Sequence, residues 1–101
     1  MPQKENGYTP IANEIMDALC HTRIAGEQRQ ILDCILRKTY GWNKKVDEIS
    51  LSQFMKMTGM SKPHIVRALN KLNGKKFIIK RTIQKDNHIA CSYEFNKNYT
   101  E

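Results

Sequence analysis

No Asp or Glu occurs between Leu51 and Lys85, a stretch that carries nine Lys or Arg. Residues 1–50 hold seven basic and seven acidic side chains and so balance. The formal net charge of +7 therefore has its source in the second half of the chain. A charge run is ordinarily a solvated face, but a carboxylate-free segment of this length exceeds what solubility requires. It points to an anionic partner, and nucleic acid is the leading one.

Other absences narrow the class. No apolar run approaches the ~18 residues of a membrane span, which excludes a transmembrane segment. "MPQKENGYTP" lacks the apolar core of a secretory signal, so a cytoplasmic location is expected. The three cysteines, Cys20, Cys34 and Cys91, are far apart and form no C-x-x-C pair, which argues against a disulfide framework or a zinc site. They read as buried or half-buried reduced thiols. There is no glycine-rich phosphate loop and no carboxylate pair in helical register with a histidine. Asp47 and Glu48 are adjacent, so on a strand they point to opposite faces and cannot share a metal. The chain is expected not to be an enzyme and to need no cofactor and no metal.

What is present is enough for one folded domain. The hydrophobic fraction is 40%, with eight aromatics. Residues 1–8 are polar and read as a flexible N-terminus, 9–95 as the domain, and 96–101 as a flexible tail. Thr9 and Pro10 have the form of an N-cap and first helical residue, with Ile11, Ile15, Ala18 and Leu19 on one face of a helix to about His21. A second helix from Gly26 or Glu27 carries the stripe Ile31, Leu32, Ile35, Leu36. Arg37 and Lys38 complement its dipole, and Gly41 is the expected stop. "NKKVDEI" has the alternation of a short strand. Ser50 caps a third helix, 51–58, which Gly59 ends. Ser61 caps a fourth, from Lys62 to about Asn73, with Pro63 tolerated in its first turn. "KFIIKRTI" and "HIACSYEF" form a hairpin across the polar turn "QKDN". The order helix, helix, strand, helix, helix, strand, strand is that of a winged helix-turn-helix, mainly α with a small β-sheet.

The stretch "TGMSKPHIVRALNKL" (58–72) supplies the turn and second helix. Gly59 gives the sharp break, and Phe54, Met60, Ile65 and Ala68 fall where they can seal the two helices. Met55 stands where a small residue is usual and predicts a slightly wider crossing. At 100° per residue, Ile65, Ala68, Leu69 and Leu72 face the core. Pro63, Val66, Arg67 and Asn70 face away, flanked by Lys62 and Lys71, with His64 at the margin. Arg67 can fork onto guanine O6 and N7, and Asn70 can pair with adenine N6 and N7; phosphate contact and simple solvation are their alternatives. Val66 suits a thymine methyl, and Lys62 and Lys71 suit phosphates. His64 is a phosphate donor or a surface residue. Ser61, Lys75 and Lys76 would meet the backbone. Lys80, Arg81 and Lys85 would give the hairpin a basic, DNA-facing surface, although its short tip argues against deep insertion. Trp42, between a glycine and a strand, is expected to seal helix to sheet. Stacking on a base is the alternative, since one aromatic alone is no platform.

Two segments, "GYTPIANEIMDAL" (7–19) and "ILRKTYGWNKKVDEISLSQFMKMTG" (35–59), resemble the N-terminal domain of the phage replication protein O family, the lambda-type replication initiators. "LRKTYGWNK" is the most family-specific part, and the similarity runs in register over about 7–95. The resemblance implies sequence-specific binding of double-stranded DNA at repeated origin sites, the iterons, in the cytoplasm of a bacterial host cell. It implies a homodimer on inverted repeats, with half-site centres about one turn, ~10 base pairs, apart. Recruitment of the host helicase or its loader would fall to a separate C-terminal region absent here, so that this is an excised domain or a shortened member. No membrane is implied. A phage transcriptional regulator would have the same fold and charge, and a protein-interaction winged helix is the reading from another class.

Overall fold

The helix that organises the core is the one with the cleanest apolar stripe. Ile31, Leu32, Ile35 and Leu36 are at most 2% exposed, as residues three and four apart on one helical face must be when neighbours close over them. The computed structural model describes residues 7–86 and 88–97. Its elements are α1 (Asn13–His21), α2 (Gly26–Thr39), β1 (Val46–Glu48), α3 (Leu51–Thr58), α4 (Lys62–Gly74), β2 (Ile78–Lys85) and β3 (His88–Phe95), with a 3-10 turn at Tyr40–Trp42. Around α2 pack Leu19 of α1, Phe54 of α3, and Ile65, Ala68, Leu69 and Leu72 of α4, together with Ile49, Ile78, Tyr93 and Phe95. Each fully buried Leu or Ile contributes about 1.5–3 kcal/mol. Phe54 meets Tyr93 edge to face at 5.4 Å, which fastens α3 to the sheet.

The three strands form one antiparallel sheet in the order β1-β3-β2. β1 pairs Val46 with Glu94, Asp47 with Tyr93 and Glu48 with Ser92. β2 pairs with β3 over its whole length, from Ile78 opposite Phe95 to Lys85 opposite His88. By alternation, Ile78, Tyr93 and Phe95 point into the core, while Val46, Ile79, Arg81, Ile83 and Glu94 share the outer face. No helix among the described residues is long and apolar enough to cross a membrane.

Several ends differ from the expectations, each for a physical reason. The first helix starts at Asn13, because Ala12 is extended (φ −57°, ψ 143°). Thr9 does not cap it: its hydroxyl instead lies 3.2 Å from the place a Gly41 Cβ would occupy. Gly41 does not stop α2. The chain continues through Tyr40–Trp42 and turns at Asn43, left-handed at φ 57°, ψ 36°, a conformation asparagine tolerates better than most residues. The Lys44 amide then donates to the Thr39 carbonyl at 2.8 Å. The hairpin turn is tighter than "QKDN", since both Gln84 and Lys85 belong to β2. Asp86 takes the positive φ of 43° that a two-residue turn demands; Asn87 lies outside the described residues.

Trp42 does not seal helix to sheet. It is 62% exposed, with the Arg37 guanidinium 5.8 Å above its ring. Cys20 is exposed rather than buried; Cys34 is buried, Cys91 half-buried, and all three are free thiols. The expected flexible ends, 1–8 and 96–101, fall largely outside the described residues.

Candidate nucleic-acid interface

Local chemistry places α4. α3 begins with a reciprocal cap: the Gln53 amide donates to Ser50 Oγ at 3.2 Å, and the Ser50 amide donates to Gln53 Oε1 at 2.9 Å. It ends at Gly59, left-handed at φ 75°, whose amide donates to the Met55 carbonyl at 2.9 Å. Thr58 Oγ1 donates to the Phe54 carbonyl at 2.7 Å and accepts from the Met60 amide at 3.0 Å, which closes the turn. Met55 is 41% exposed, so much of its surface faces solvent rather than the partner helix. α4 then starts after Ser61, which sits in the N-cap conformation but makes no side-chain cap bond.

The two faces of α4 separate cleanly. Ile65, Ala68, Leu69 and Leu72 are at most 2% exposed. Lys62, Pro63, Val66, Arg67, Asn70 and Lys71 line one shallow, open depression on the other side. The sequence projection brought these six together, and the structure does too. They combine two lysines, an arginine fork, an amide and an apolar floor, with no carboxylate among them. Such a surface can donate to phosphates and to acceptor-rich base edges.

The remaining candidates are distributed differently. His64 turns to the margin, where Nδ1 stands 3.5 Å from Glu27 Oε1 at the start of α2, an ion pair when the ring is protonated. Lys75 and Lys76 are exposed just past α4. Lys76 is left-handed at φ 65°, and its carbonyl accepts from Asn96 Nδ2 at 2.8 Å. On the hairpin, Lys80 lies opposite Tyr93 on the inner face and is half-buried. Arg81 lies on the outer face and is bound to Glu94 at 3.0 Å, which shares its charge. The Lys85 side chain lies outside the described residues. The hairpin therefore offers less free charge than a count of its residues implies. Glu94 was discoverable: once a two-residue turn sets the register, it falls diagonal to Arg81 across the strand pair.

Groups with altered acidity lie in the core. Burial, with the nearby Cys91, pushes the Tyr93 phenol well above its usual range. Burial and then Glu94 raise Tyr40, and burial and then Asp33 raise the Cys34 thiol. Among the described residues, no three His, Cys, Asp or Glu stand together as a metal site.

Comparison with known proteins adds an independent line. Residues 1–101 match the family described as bacteriophage replication protein O. The chain is 37% identical over 78 residues to replication protein 15 of Enterobacteria phage phi80, covering 77% of this chain and 26% of that protein. It is 38% identical over 68 residues to the DNA replication protein gp18 of Salmonella phage P22, covering 67% and 25%. It is 39% identical over 54 residues to replication protein O of Escherichia phage lambda, covering 54% and 16%. The chain thus aligns with about a quarter or less of each relative's length.

Proposed function

The chain belongs to the bacteriophage replication protein O family, and on that premise we propose that it is the DNA-binding part of a phage replication initiator. In this reading α3 and α4 are a helix-turn-helix, β2 and β3 are the wing, and the whole is a winged helix that binds duplex DNA at repeated origin sites. The observation that carries the reading is the outer face of α4. Five side chains suited to phosphates and base edges, Lys62, Val66, Arg67, Asn70 and Lys71, lie together with Pro63, within a segment of nine cations and no carboxylate.

Arg67 and Asn70 read bases in the major groove, and Val66 packs on a thymine methyl. Lys62, Lys71, Lys75 and Lys76 hold phosphates and set the register. Lys80, Arg81 and Lys85 give the wing a weaker, backbone-directed part. Ser61 sits at the start of α4, where a phosphate can meet its free hydroxyl. His64 flanks this surface and is steadied by Glu27. The role is binding, not catalysis. Two copies on an inverted repeat match the symmetry such sites require.

The test is a fluorescence anisotropy titration against two labelled duplexes across a salt series. One carries repeats from the gene that encodes this chain, and the other is their scramble. A preference of about 10³-fold or more for the repeats, with both affinities falling as salt rises, is expected. Equal affinity for both removes sequence-specific recognition. Specific binding to promoter sequence in place of the repeats would make the chain a transcriptional regulator.

A further inference from the structure

One exposed cluster plays no part in the duplex reading. Trp42 is 62% exposed at the turn between α2 and β1. The turn is held rigidly by the left-handed Asn43 and by the bond from the Lys44 amide to the Thr39 carbonyl. Arg37, one helical turn earlier, lays its guanidinium over the indole. It reaches there because residue 41 has no side chain: a Cβ on Gly41 would stand 2.7 Å from Arg37 Nη1 and 3.4 Å from its Cδ. Thr9 crosses the same glycine, so the segment bearing Tyr8, itself 65% exposed, runs beside the Trp42 turn.

The surrounding charge is positive. Lys45 is exposed and Lys38 half-buried. Three nearby carboxylates are paired with cations, Asp47 with Lys44 at 3.4 Å, Asp33 with Arg29 at 3.0 Å, and Glu94 with Arg81 at 3.0 Å, while Glu48 is exposed at the end of β1. Position also sets this cluster apart from the hairpin tip. β1 pairs with the Phe95 end of β3, six residues from His88 at the hairpin tip. At about 3.4 Å per residue, that separation is roughly 20 Å.

We propose that Trp42, backed by Arg37 and flanked by Tyr8, is a stacking site for an unpaired base of single-stranded DNA, with Lys38 and Lys45 along the strand's phosphates. An indole with one face open and its cation preset offers what every base can use, a π surface and positive potential. An acidic protein segment could use the cations but not an exposed indole to the same advantage. The site shares no residue with the outer face of α4 and stands whether or not α4 reads duplex DNA.

The experiment uses the 101-residue chain and an oligodeoxythymidylate of about ten nucleotides. Trp42 is the single tryptophan of the sequence, so its emission reports the site directly. Saturable quenching that salt relieves is expected. Binding of the labelled oligonucleotide should weaken about tenfold in Trp42→Ala, and by less in Arg67→Ala. Gly41→Ala is the second variant: its Cβ displaces the flexible end of Arg37 and presses on Thr9 Oγ1 at 3.2 Å, so single-strand affinity falls while circular dichroism shows the fold retained. Unchanged affinity in either Trp42→Ala or Gly41→Ala overturns the site. Equal quenching by duplex at the same concentration would make it a flank of the duplex surface. Equal quenching by polyglutamate would assign it to an acidic protein segment.

Discussion

Arg67 and Lys75 are both exposed cations, and the proposed function gives them two different kinds of recognition. The fork of Arg67 sits at the centre of the outer face of α4, among Val66, Asn70 and Lys71. Arg67→Ala should cost about 1–3 kcal/mol on cognate duplex and relax discrimination at one base pair. Equal losses on cognate and scrambled duplex, read by competition titration, would show that it holds only phosphate. Lys75 follows the helix and has no ladder of neighbours to aim it at a base edge. Lys75→Ala should weaken both duplexes alike and lower the salt slope by about one unit. A slope that stays put removes Lys75 from the interface. Charges on the hairpin cannot be weighed so simply, because Arg81 is committed to Glu94. The sequence shows a cation there, and only the register shows its partner.

Among the elements, α3 and α4 were the most legible and the chain around Gly41 the least. Ser50, the run 51–58 and Gly59 each carry a local signal strong enough to act alone: a cap, a periodic stripe and a left-handed stop. The prediction here is about the cap. Ser50→Ala removes the acceptor for the Gln53 amide and should lower stability by about 0.5–2 kcal/mol, measured by urea unfolding at constant m. A cost near zero would mean that water replaces the hydroxyl and that α3 is held by Phe54 alone. At Gly41 the local signal misleads. A glycine after a basic turn resembles a helix stop, but its real task is tertiary, leaving room for Arg37 and Thr9. Trp42 misleads for the same reason: nothing in "YGWNK" reveals that the adjoining arginine, and not the sheet, will cover the ring. The four-residue "QKDN" turn was overdrawn because pairing across β2 and β3 extends order nearly to the tip.

For the molecule as a whole, the core runs through α2, and the surface divides by charge. Ile35 is fully buried where α2 is enclosed by the other elements. Ile35→Ala should lose about 2–5 kcal/mol and should lower duplex affinity only through the fraction unfolded. Affinity restored by cooling, with melting followed by circular dichroism, checks that separation. The charge division predicts a salt response. If Lys62, Lys71, Lys75 and Lys76 neutralise about four phosphates, log K should fall with log salt at a slope of roughly −3.6. A slope near −1 would mean that most of those cations stay in solvent.

α4 has one face wholly given to the interior and the other wholly to the outside, and this bears on how such a protein can diverge. The residues that hold the fold and those that face a partner share a helix but no positions, so effects on stability and on recognition should add nearly independently. If α4 reads origin repeats as proposed, a phage lineage could rewrite those repeats and follow them with substitutions at positions 62, 63, 66, 67, 70 and 71, leaving the scaffold untouched. Moving those six side chains from one relative into another, as a block, should carry the preferred repeat across with them. The same fold could thus serve as a common stock from which incompatible replicons, each blind to the others' origins, arise side by side.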